Sequence, residues 1–226
     1  MVRYAVYYAP EPGALAGFTA AWLGWDPAQG RVPARVTIDG LPGDIQSITA
    51  AARKYGFHGT IKAPFRLQMG CTEGALRVAC TELAASLAPV RLDGLSLHTL
   101  GGFLALVPDG DATVLSHLAD QVVLALEAFR APLTPADIAK RRPETLTPRQ
   151  RDLLATYGYP YVLEQFQFHL TLTGALSASD LAATKAALAP QLIHLLPRPF
   201  VIRDLCLYAE GIDGLFHILH RYALTG

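Results

Sequence analysis

Two five-residue phrases carry the chemistry of this chain: "FHGTI" at residues 57–61 and "FHLTL" at 168–172. Each places a histidine after a phenylalanine and a threonine two residues beyond the histidine. In an extended strand successive side chains point to opposite faces. Phe57, Gly59 and Ile61 then share one face, and His58, Thr60 and Lys62 the other. In the second phrase Phe168, Leu170 and Leu172 oppose His169, Thr171 and Thr173. Each strand therefore has an apolar face and a face that presents His and Thr together. If a twofold relation brings the two polar faces to one cleft, the pair suits cleavage of a phosphodiester. A neutral imidazole accepts a proton from water or a hydroxyl, and an imidazolium donates one to the departing oxygen. An ordinary pKa near 6.5 fits His for both roles around neutral pH. Thr60 and Thr171 can donate hydrogen bonds to phosphate oxygens, and Lys62 can add charge stabilisation. This scheme needs no metal and no cofactor.

The elements around these phrases repeat. "RYAVYYAP" reads as a strand ending at Pro10, and "GALAGFTAAWLG" as a helix stopped by Gly24. Further helices are expected over 44–54, 72–88, 112–129 and 178–189. The pair Gly101-Gly102 joins "VRLDGLSLHTL" to "FLALVP" as a hairpin. His58 precedes that turn by 43 residues, and His169 precedes Asp213 by 44. "DGLSLH" matches "RDLCLY", and "FLALVP" plus a helix echoes "YAVYYAP" plus a helix. The chain thus reads as one bilobal domain over 1–226, built from repeat units at about 3–101 and 102–226. The second unit has extra basic chain at about 131–160. The expected fold class is α+β, a two-lobed duplicated structure with pseudo-twofold symmetry and mainly antiparallel sheets flanked by helices.

With the repeat in view, the chain resembles the 2H phosphoesterase superfamily, whose members carry paired His-x-Thr-x motifs in a two-lobed α+β fold. "YGFHGTIKAPFRL", "FRAPLTP", "RRPETLTPRQRDLL", "YGYPYV" and "FQFHLTLTG" sharpen the likeness to bacterial proteins commonly encoded beside phosphonate-degradation genes. The resemblance implies that His58 and His169 are the catalytic pair and that Thr60 and Thr171 hold phosphate. The primary expectation is a phosphoesterase acting on a small cyclic phosphodiester or an RNA 3′ end, and a ribose-type cyclic phosphate fits the phosphonate association that the resemblance implies. The alternative is a binding protein that holds a nucleotide or phosphorylated metabolite in the same cleft without turnover.

Composition limits the other classes. Of 226 residues 51% are apolar, and 19 basic residues balance 19 acidic ones. That balance disfavours a long nucleic-acid partner. No apolar run reaches the length of a membrane span, and the N-terminus does not read as a secretory signal. Three cysteines without a Cys-x-x-Cys pair argue against a disulfide framework or a thiolate zinc site. A cytoplasmic monomer is the expectation. "LTPRQRDLL" resembles the opening of a bacterial helix-turn-helix domain, with a capping box at Thr147 and Gln150. The aromatic, proline-containing run that follows leaves no room for a recognition helix, so the segment is expected to form a flap over the cleft. Arg142 is the candidate anion contact there, and Tyr4 is the candidate aromatic at the cleft from the first strand. His217 and His220 lie three apart in a strand, so they should face apart and share no metal. His98 and His117 read as structural or exposed.

Overall fold

The structure is a computed structural model that describes residues 2–226. The first repeat runs β1 (Tyr4–Tyr8), α1 (Ala14–Leu23), α2 (Ile45–Arg53), β2 (Gly59–Phe65), α3 (Glu73–Ser86), β3 (Val90–Leu92) and β4 (Gly94–Leu100). The second runs β5 (Phe103–Asp109), α4 (Thr113–Ala125), β6 (Leu170–Thr171), α7 (Ala178–Leu192), β7 (Phe200–Ile202), β8 (Asp204–Glu210) and β9 (Phe216–Ala223). Between α4 and β6 stand α5 (Pro135–Lys140) and α6 (Pro148–Tyr157), the helices of the extra segment.

Local chemistry sets the ends of these elements. Gly24 closes α1 in the left-handed conformation, which glycine adopts without steric cost. Thr72 and Ser177 cap α3 and α7 through their hydroxyls. Thr147 and Gln150 form the expected capping box on α6, and Thr134 with Asp137 forms another on α5. Gly101-Gly102 makes the two-residue hairpin turn, with Leu100 opposite Phe103.

Seven strands form one sheet in the order β4-β5-β6-β2-β1-β8-β9, with antiparallel pairing throughout. Without β9 the order is symmetric about the junction of β6 and β2. Gly59 and Leu170, equivalent residues of the two His phrases, are Cα partners across that junction. The twofold relation therefore passes between the two phrases. The repeats also exchange elements: β4 of the first joins β5 of the second, and β8 of the second joins β1 of the first. The Trp22 indole N–H of α1 donates to the Leu172 carbonyl just beyond β6, at 2.8 Å. One face of the sheet lies under the helices, where Trp22, Leu76, Leu115, Leu188 and Phe200 belong to the main core. On the other face Tyr7, Cys206, Tyr208 and Phe216 form a smaller cluster. Among the described residues no helix is long and apolar enough to cross a membrane.

Candidate active site

His58 and His169 each occupy the last position before a strand, β2 and β6 respectively. Phe57 and Phe168 are buried in the main core, as the alternation requires. Both imidazoles are pinned in the same way. His58 Nδ1 lies 3.0 Å from the Gly56 carbonyl, and His169 Nδ1 lies 2.9 Å from the Gln167 carbonyl. A carbonyl only accepts, so each Nδ1 carries a proton and each neutral ring keeps Nε2 as its acceptor. Both rings line one cavity of about 250 Å³ with Thr60, Thr171, Tyr7, Tyr55, Tyr159 and Arg141. Thr60 Oγ1 donates to His58 Nε2 at 3.2 Å.

The two halves of the cavity are not alike. Tyr7 lies opposite Thr60 on β1, and its ring centroid is 4.0 Å from that of His58. The equivalent position opposite Thr171 on β5 is Ala105. Tyr55 adds a second ring 5.5 Å from His58, whereas His169 has the Phe103 ring at 5.7 Å. Burial against these rings pushes the His58 pKa down to about 4; the Gly56 carbonyl opposes the shift and the neighbouring His169 adds to it.

Two larger chambers open from this cavity. On the His169 side about 500 Å³ is bounded by Phe103, Tyr159, Tyr161 and Phe166. On the Tyr55 side about 530 Å³ is bounded by Arg3, Lys54, Arg66, Arg130, Lys140 and Arg141, with Glu210 and Asp137 among them. The extra segment forms a wall of this system. The Val123 side chain of α4 packs with Leu153 of α6 and with Val162, which secures it from below. Arg66 holds Asp137 of α5 by two hydrogen bonds, at 2.7 and 3.0 Å.

Four sequence expectations need correction. Lys62 does not face the cavity. A bulge at Ile61 shifts the register, so Thr60 lies opposite Tyr7 but Lys62 lies opposite Val6. Lys62 is 3% exposed, and its ammonium donates to the Val123 carbonyl and to Glu127. Tyr4 points into the main core, where its hydroxyl donates to Glu73 at 2.9 Å; three residues along the same strand, Tyr7 meets the histidine instead. Arg142 is exposed and takes a left-handed φ of 47° at the start of a 3-10 turn, away from the cavities. Its neighbour Arg141 lines the site and lies over the Tyr159 ring at 4.8 Å. A second bulge, between Ile218 and His220, breaks the alternation from which these histidines of β9 were expected to face apart. They nonetheless have separate partners: His217 Nε2 meets Asp213, and His220 packs on Tyr222. Among the described residues no group of three or more His, Cys, Asp or Glu side chains is placed to hold a metal ion.

Residues 60–217 match the model of a family described as "Protein of unknown function (DUF1045)". Two curated relatives are named "Ribose 1,5-bisphosphate phosphokinase PhnN". The one from Janthinobacterium sp. (strain Marseille) is 42% identical over 184 residues, 80% of this chain and 40% of that protein. The one from Laribacter hongkongensis (strain HLHK9) is 36% identical over 214 residues, 94% of this chain and 49% of that protein. The chain thus spans about half or less of the length of these relatives. Among solved structures, TT0787 of Thermus thermophilus aligns at a TM-score of 0.46 and 14% identity, over 99% of this chain and 98% of that one. E. coli LigT complexed with 3′-AMP aligns at 0.46 and 15%, over the same shares of each chain.

Proposed function

We propose that this chain, which belongs to the DUF1045 family, is a phosphoesterase that opens a small cyclic phosphodiester by two-histidine acid–base catalysis. The observation that carries the reading is the matched pair of imidazoles. Each is pinned through Nδ1 by the carbonyl two residues before it, and both line one cavity with two threonine hydroxyls. His58, held neutral by burial, accepts a proton from water through Nε2. The resulting hydroxide attacks phosphorus and the ring P–O bond breaks. His169 donates a proton to the departing alkoxide, which leaves as a hydroxyl beside a new phosphomonoester. The Thr60 hydroxyl, bound to His58 Nε2 at rest, turns to a non-bridging oxygen, and Thr171 supplies the second donor. We take the reaction to be independent of metal and the protein to act as a cytoplasmic monomer.

A ribose-type cyclic phosphate is the favoured substrate. The curated relatives are named for a ribose bisphosphate, and the nucleotide-loop pattern Gly-x4-Gly-Lys-Ser/Thr does not occur in these 226 residues. We therefore assign the named phosphoryl transfer to the part of those relatives outside the match, and work on a related sugar phosphate to this chain. The aromatic chamber beside His169 favours a second reading, a nucleotide or RNA 3′ end whose base stacks there. Phosphorus NMR of a panel of cyclic phosphates, incubated in EDTA, tests both. The cyclic resonance is expected to give way to a monoester. His58→Ala and His169→Ala should each slow this by roughly 10²–10⁴, and the double variant by less than the product of the two losses. Binding without turnover across the panel would instead mean a binding protein. Full activity in either single variant would end the paired mechanism.

A further inference from the structure

The basic chamber has a use that the two-histidine reaction leaves unassigned. Six cationic side chains line it against two carboxylates. Three of those cations are already engaged. Arg3 gives both of its bonds to Glu210, Arg66 gives both to Asp137, and Arg130 is shared among Glu127 and the carbonyls of Ala131 and Thr156. Three keep donors in hand. Lys54 uses one ammonium hydrogen on Glu210. Lys140 and Arg141 make no ion pair with any described residue, and the Arg141 guanidinium is steadied on the Tyr159 ring. The chamber and the histidine cavity share four wall residues, Arg3, Tyr55, Pro64 and Arg141.

We propose that this chamber is a second anion subsite, which takes a phosphomonoester carried by the same molecule whose cyclic phosphate reaches the histidines. The inference rests on the phosphoesterase reading for the identity of that second group. A terminal monoester is a dianion with three acceptor oxygens, which suits two ammonium groups and a guanidinium. A backbone diester carries one charge, and the net charge of zero for the whole chain provides no wider field for a long polyanion. Binding at a point remote from the reacting phosphorus fixes the orientation of the cyclic ester against His58 and His169. Hydrolysis of such a substrate yields a sugar bisphosphate, the class of compound for which the curated relatives are named.

Two measurements test this. The first is calorimetric titration with ribose 5-phosphate, which has no cyclic ester and needs no turnover. The protein should bind it far better than ribose, less tightly at high salt. Lys140→Gln with Arg141→Gln should weaken binding by tenfold or more. The second compares kcat/KM for ribose cyclic phosphates with and without a 5-phosphate. The preference for the phosphorylated member should collapse in the same double variant. Affinity for ribose 5-phosphate within twofold of wild type in that variant, or no better than for ribose in wild type, overturns the subsite. If no cyclic phosphate is cleaved but ribose 5-phosphate binding is still lost in the variant, the phosphoesterase reading falls and the anion subsite stands.

Discussion

The imidazole of His58 pays for its position on Tyr7 with difficulty in carrying a charge, and that difficulty has a measurable sign. In the unfolded chain it takes up a proton near the ordinary value of about 6.5; in the fold it does so only near about 4. Between those values the unfolded chain binds more protons, so stability falls as pH drops from about 6.5 to about 4. Above that window His58 contributes no slope. Urea midpoints measured from pH 4 to 8 should show this slope in wild type and lose it in His58→Asn, whose amide can keep the bond to the Gly56 carbonyl. An unchanged slope in the variant would show that the ring is not desolvated. The two histidines were legible in sequence because residue type and spacing are local facts. Their inequality was less so, although the repeat already places Tyr7 and Ala105 at equivalent positions. What sequence alone does not show is that these two positions lie opposite Thr60 and Thr171, since cross-strand pairing joins residues far apart in the chain.

At the scale of the strands, the apparently free position of each His phrase is constrained by the twofold junction. Gly59 faces Leu170 across it, and a Cβ at Gly59 would stand 2.3 Å from the Phe168 ring. The glycine is a space reserved for the phenylalanine of the other phrase. Gly59→Ala should cost about 1–3 kcal/mol through overpacking and should reduce turnover by displacing the strand ends that carry the histidines. Adding Phe168→Leu should recover part of the stability lost, a coupling that a double-mutant cycle in urea would read. Strictly additive losses would show that the ring simply moves aside. Helices and hairpin turns on either side of this junction were legible from periodicity, caps and glycines. The bulge at Ile61 was not, because it has no signature in residue type. Lys62 consequently appears on the wrong face when strict alternation is assumed. The same limit applies to Tyr4: the strand is recognisable, but its inward face is set by the sheet it joins.

Over the whole molecule, the net charge of zero conceals a strong local separation. Glu210, near the end of β8, gathers Arg3 from the N-terminus and Lys54 from the end of α2, each at 2.7 Å. These three groups close one wall of the basic chamber, so a single carboxylate serves both folding and anion affinity. The Arg3 hydrogen bonds, with help from Lys54 and against burial, hold the Glu210 pKa down to about 2. Its stabilisation is therefore complete above the unfolded value near 4.5 and is lost as pH falls towards about 2, a window that overlaps that of His58 only between about 4 and 4.5. Arg66 holds Asp137 low in the same sense on the opposite wall. Such a cluster was not legible in sequence, because Arg3, Lys54, Arg66, Glu210 and the residues of the extra segment are far apart in the chain and meet only in the folded sheet. Glu210→Gln separates the two roles. At pH 7 it should destabilise the fold by about 1–2 kcal/mol, a partly exposed ion pair being worth less than a buried one. It should also tighten ribose 5-phosphate binding several-fold, since a carboxylate is removed from the chamber and Arg3 and Lys54 regain donors. Thermal unfolding and calorimetry on the same preparation read both effects. Loss of stability with weaker binding would mean that Glu210 positions the cations for the anion rather than competing with it.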